Sequence, residues 1–66
     1  MNEMMKILLG KEVTVLYSED GVSKSLIGIL KSADDNFLVL EKTYTQKNVM
    51  LALSSVLKIK EREEKE

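Results

Sequence analysis

The hydrophobic positions of this chain change period near Gly10. Met1, Met4, Met5 and Leu8 fall at i, i+3, i+4 and i+7, the spacing of one helical face, which predicts a short helix over residues 2–9. Gly10 suits the backbone just past a helix end, and such a helix would serve as a lid on an open barrel end. From Lys11 to Ser18 the pattern becomes period two. Val13, Val15 and Tyr17 take one side, Thr14 and Leu16 the other, and a strand is predicted. Glu19-Asp20-Gly21 reads as a turn, because Asp tolerates tight bends and Gly supplies positive φ without steric cost.

A second strand is predicted from Lys24 to Ala33. Its middle is apolar on both faces, with Leu26 and Leu30 on one and Ile27 and Ile29 on the other. A strand of that kind is buried on both faces, so one face meets the core and the other needs the helix or another subunit. Gly28 lies mid-strand, where it weakens pairing unless the strand bends sharply, as small barrels require. Asp34-Asp35-Asn36 makes the next turn and Phe37 to Thr43 the third strand. Thr45 to Asn48 is a turn, Val49 to Leu53 a fourth strand, Ser54-Ser55 an interruption and Val56 to Lys60 a fifth strand. Glu61 to Glu66 carries no apolar residue and reads as a charged, solvated, disordered tail. The expectation is a single domain over residues 1–60, mainly β. Five short strands in so small a chain predict a strongly bent, SH3-like small barrel behind a short N-terminal helix.

Composition narrows the function. A core within 66 residues usually needs disulfides, a metal or self-association for support. The chain has no cysteine and no histidine, which excludes disulfides and thiolate metal sites and removes the commonest zinc ligand and general base. Self-association is the support left. No glycine-rich phosphate loop is present, and neither Ser54 nor Ser55 has an identifiable base. The chain is therefore expected to be no enzyme, with no cofactor, metal or small-molecule substrate. Asp34 and Asp35, even with Glu41, read as turn capping rather than a cation site. No apolar run reaches the roughly 18 residues of a membrane span, and no signal-peptide pattern opens the chain. A cytoplasmic protein without membrane contact is expected. The net charge of −1 and pI near 5.4 argue against wrapping of nucleic acid by bulk charge, so any such binding must use local pockets. Lys11, Lys24, Lys31, Lys42 and Lys47 read as scattered solubilising and edge-guarding residues.

Several runs together resemble the Sm-like (LSm) family, including bacterial Hfq proteins. Leu9-Gly10-Lys11-Glu12-Val13-Thr14-Val15 with Asp20-Gly21 resembles the family's helix exit, first strand and turn. Gly28-Ile29-Leu30 followed by Asp34 or Asp35 is similar to the first Sm motif, and Asp35-Asn36-Phe37-Leu38-Val39-Leu40 to its Hfq form. Ala52-Leu53-Ser54-Ser55-Val56 resembles the Hfq version of the second motif. The resemblance implies a bent five-stranded barrel whose fourth and fifth strands pair across subunits into a homo-oligomeric ring. Val49, Met50, Leu51, Leu53, Val56, Leu57 and Ile59 would then line the subunit interface. It also implies single-stranded RNA, U-rich or A-rich, as the partner. Asp35, Asn36 and Phe37 would stand at a base pocket, with Tyr17 on a second RNA-facing surface. Stacking on an aromatic is worth about 1–3 kcal/mol per base, and an amide reads a base edge.

The chain also departs from the family. Where Hfq has tyrosine, lysine and histidine before the alanine, Val49, Met50 and Leu51 stand here. The arginine-glycine pair of other Sm proteins is replaced by Ala52 and Leu53. Two further readings stay open on that account. One is a ring that serves as a protein-interaction or assembly module without an RNA pocket. The other is a monomeric SH3-like barrel from a larger assembly.

Overall fold

The structure, a computed structural model, describes residues 3–62. Helix α1 spans Glu3–Leu8, and the strands are β1 Glu12–Glu19, β2 Val22–Ala33, β3 Phe37–Lys42, β4 Asn48–Ala52 and β5 Val56–Glu61. A 3-10 turn at Leu53–Ser55 joins β4 to β5. The strands form one antiparallel sheet in the order β4-β3-β2-β1-β5. The chain is mainly β, as its alternation predicts. Among the described residues no helix is long and apolar enough to cross a membrane.

The sheet does not close. β4 pairs only with β3 and β5 only with β1, so the expected barrel is an open, curled sheet with two free edges. The curl follows from the connection. Outer strands of a flat five-stranded sheet would stand about 19 Å apart. Leu53–Ser55 joins them through one 3-10 turn, which rises only about 2 Å per residue. The sheet must therefore bend until its two ends approach each other at that turn.

The core fills the concave side. Val13, Val15, Leu30, Leu38 and Leu40 have no exposed surface, and Leu8, Leu26 and Ala33 are nearly as buried. Two bulges keep this face apolar. Leu30 pairs with Leu40, but the next pair is Ser32 with Val39, which leaves Lys31 unpaired. Strict alternation from Leu30 would point Ala33 outward; the extra residue returns it to the core. Leu57 is skipped in the same way between the pairs Leu16–Lys58 and Tyr17–Val56, so that Val56 and Ile59 both pack on the core.

Gly28 has a direct steric cause. A Cβ there would lie 2.5 Å from the Glu41 carbonyl oxygen and 3.2 Å from the Lys42 Cα. The β3 backbone passes too close for any side chain, so glycine is required by contact as well as by curvature.

Several expected boundaries shift. The predicted start of the helix at residue 2 lies outside the described residues, and α1 ends at Leu8. Gly10 then donates its N–H to the Leu30 carbonyl at 2.8 Å. Met5, Leu8 and Leu9 pack on the core, so α1 is a lid on the core side. It does not cover Ile27 and Ile29, which remain half-buried on the convex face. β2 begins at Val22, because Asp20 (φ 52) and Gly21 (φ 77) alone make the turn. Two positive φ values define a type I′ hairpin, whose twist matches that of paired strands. At the other end β5 includes Glu61, and the Arg62 N–H donates to the Glu12 carbonyl at 3.0 Å. Glu61 and Arg62, expected in the charged tail, thus belong to the sheet and its end, and the rest of that expectation, residues 63–66, lies outside the described residues.

Candidate nucleic-acid interface

The turn before β3 is built by Asp34. Its Oδ1 accepts the Asn36 N–H at 2.7 Å and the Phe37 N–H at 2.8 Å. Hydrogen bonds from Asn36 and then Phe37 hold its carboxyl below the ordinary 3.8, because donors to the charged form favour it. Asp34 thus supplies the side-chain bonds to the backbone of this turn. Asn36 stays exposed, while its carbonyl accepts the Leu53 N–H at 2.8 Å. Asp35 is exposed beside it.

A lowered pKa has a definite sign. This turn stabilises the fold fully above the unfolded carboxyl's pKa and loses that contribution as pH falls through the lower folded value. Amide protons of Asn36 and Phe37 are therefore expected to titrate together in a nuclear magnetic resonance series, with a midpoint below the ordinary aspartate value. A midpoint at or above that value would contradict the turn.

Phe37 lies on the convex face and is 44% exposed, since Leu38 and Leu40 take the core. It pairs across the sheet with Ala52, and Val39 pairs with Met50. Met50 is 64% exposed. An exposed apolar patch of Phe37, Val39, Met50 and Ala52 thus runs to the free edge of β4, and no cation lies across from Phe37. Tyr17 follows Val13 and Val15 onto the concave face. It borders a cavity of about 260 Å³ shared with Leu26, Lys42, Tyr44 and Val49. The structure therefore joins Asp35, Asn36 and Phe37 at one turn and places Tyr17 on the opposite face.

The expected interface residues also divide. Val49, Leu51, Leu53, Val56 and Ile59 pack on the protein's own core and are only partly covered. Met50 and Leu57 are exposed.

Most cations named from the sequence have carboxylate neighbours. Lys11 meets Glu61 at 3.7 Å, Lys24 meets Glu19 at 2.7 Å and Lys31 meets Glu41 at 3.5 Å. Their hydrogen bond, then their charges, raises the Lys24 pKa and lowers that of Glu19, yet both groups are exposed and such pairs contribute little. Arg62 is held charged by Tyr44 and then Glu12, whose Oε1 lies 3.9 Å away. Glu12 Oε2 also accepts the Thr43 hydroxyl at 2.6 Å. Among the described residues no cluster of carboxylates could hold a metal ion.

Lys58 and Lys60 stand outside the cations named from the sequence. They alternate with Ile59 along β5, so Ile59 packs inward and both lysines face out beside Leu16 and Thr14. The signal was present in Lys58-Ile59-Lys60-Glu61-Arg62, where period two places all three cations on one face.

No family model matches this chain, and neither the curated proteins nor the solved structures searched contain a match.

Proposed function

We propose that this is an Sm-like, Hfq-like RNA-binding protein whose copies join edge to edge into a ring that binds single-stranded RNA. The observation that carries the reading is the pair of free edges on β4 and β5, the two strands that the family resemblance assigns to subunit pairing. These edges differ from each other, so β4 of one copy against β5 of the next is a head-to-tail contact, which closes into a ring when the rotation permits. The partly covered apolar residues on both strands fit such a contact, as does the small size of the core. Exposed Phe37 and Asn36 beside Asp34 supply an aromatic face and an amide for bases. The reading assigns binding to the chain and no catalytic step.

Light scattering at micromolar concentration is expected to give a multiple of the monomer mass. A monomer overturns the ring. Titration with oligouridylate and oligoadenylate at two salt concentrations tests the RNA. Binding no tighter than about 10⁻⁴ M at physiological salt, the non-specific range, overturns it. A second reading, a ring that assembles with proteins, is favoured by Ala52 and Met50 standing where the base pocket would need cations. A ring mass without RNA binding is its signature.

A further inference from the structure

We infer that the convex face of β5 is a track for the phosphodiester backbone of single-stranded RNA, held by Lys58 and Lys60. The inference rests on the RNA-binding reading and places the phosphate contacts away from the Asn36–Phe37 turn.

The strand period sets the geometry. Residues two apart in a strand project from one face about 6.8 Å apart, comparable with the separation of successive phosphates on one nucleic-acid strand. Lys58 pairs with Leu16 and Lys60 with Thr14. The four side chains line a shallow groove of about 200 Å³, and a second depression beside it is lined by Thr14, Lys60, Glu61 and Arg62. Leu16 is 38% exposed and offers an apolar contact for a ribose or base beside the charged row.

Charge distinguishes this face. Lys11, Lys24, Lys31 and Arg62 each have a carboxylate within ion-pair distance. Lys58 and Lys60, like Lys6, Lys42 and Lys47, have none among the described residues, and of these five only Lys58 and Lys60 stand two apart on one face of one strand. Two neighbouring like charges left unanswered are a cost to the free protein, relieved when an anion lies across both. Glu61, between Lys60 and Arg62, pairs with Lys11 rather than with either lysine. Edge pairing does not consume the site, because a strand added to β5 bonds in the plane of the sheet while these side chains stand out of it.

The backbone also supports this orientation. The Arg62 N–H bonds to Glu12, and hydrogen-bonded pairs alternate in an antiparallel ladder. Lys58 and Lys60 therefore turn their own N–H groups towards β1, which anchors the row to the sheet interior. A linear row on a fixed strand matches a repeating backbone better than it matches an isolated anion.

The test uses the full chain and short oligouridylate, with binding followed by fluorescence anisotropy between about 50 and 200 mM salt. Each phosphate contact to a single strand contributes about 0.7 to the slope of log affinity against log salt. The Lys58→Gln/Lys60→Gln double variant is expected to lower the slope by about 1.4. Lys6→Gln/Lys47→Gln removes the same charge from exposed sites elsewhere and is expected to leave the slope near that of wild type. Circular dichroism confirms that both variants fold. RNA binding by wild type with an unchanged slope in the β5 variant overturns the track and leaves the RNA reading intact. An equal fall in both variants also overturns it, as does poly-glutamate binding as tightly as RNA, which would assign the face to acidic protein. Absence of wild-type binding overturns track and RNA reading together.

Discussion

Gly28→Ala is expected to lower the thermal midpoint by roughly 10–20 °C, and Gly28→Val to abolish the cooperative transition, with circular dichroism as the measurement. The sign is diagnostic. Replacing glycine inside a regular strand usually helps, because the chain has less backbone entropy to lose. Here the new Cβ would stand 2.5 Å from the Glu41 carbonyl oxygen and 3.0 Å from its carbon. Those are backbone atoms of β3, which cannot rotate aside as a flexible side chain would. Overpacking typically costs about 1–3 kcal/mol, roughly half of the 3–5 kcal/mol that a domain this small holds in reserve. Each kcal/mol moves the midpoint by about 4–8 °C at this size. A variant melting within about 2 °C of wild type would show that the two strands do not approach as described.

The second large effect is on assembly. The Leu53 N–H donates to Asn36 and the Lys42 N–H to Lys47, and hydrogen-bonded pairs alternate along an antiparallel ladder. Leu38–Leu51 and Leu40–Val49 are then the bonded pairs, and the N–H of Met50 points to the open edge. Proline at 50 removes no bond within the chain but blocks a strand that would pair there. Met50→Pro is therefore expected to reduce the scattering mass to that of a monomer while the protein stays folded. Leu51→Pro, one residue on, breaks the β3–β4 ladder and is expected to unfold the chain. A Met50→Pro protein that keeps the full oligomeric mass would remove β4 from the subunit contact.

Periodicity made most of the fold legible. Alternation groups Val13 with Val15 and Leu26 with Leu30, the pairs that share the core, and Glu19-Asp20-Gly21 reads as a turn. Alternation does not say that Leu38 and Leu40 rather than Phe37 and Val39 face inward. The bulges were also written in the sequence, since Leu30 and Ala33, like Val56 and Ile59, stand three apart where alternation demands two. A short apolar run hides such a change of phase. The turn after β3 reads as a turn by its polarity, but without Gly or Pro nothing marks its backbone conformation. Gln46 adopts a left-handed φ of 59 there, held by its N–H to the Lys42 carbonyl at 2.8 Å, a conformation no Gln in isolation announces. The candidate site was legible in its residues but not in its grouping. Asn36 and Phe37 share a turn, whereas Tyr17 lies across the sheet from them, and facing is fixed only once strand phase is known. Asp34 took the turn's hydrogen bonds because its carboxylate accepts two N–H groups at once, which sequence alone did not choose between adjacent aspartates.

The β1–β5 ladder sets the order in which this chain acquires its shape. Hairpins β1–β2, β2–β3 and β3–β4 each join neighbours in sequence, but β5 must find a strand at the far end of the domain, with Glu12 meeting Arg62. Closing so long a loop is the entropically slowest pairing available. Until it forms, β1 and β4 both offer bare backbone edges, and the Val13–Val15 face lacks its cover. Refolding yield should therefore decline as protein concentration rises, because a second unfinished sheet competes with β5 for β1. In the mature copy β5 covers β1 and the bare edge on that side is its own, so competition for β1 belongs to the interval of folding rather than to the finished molecule.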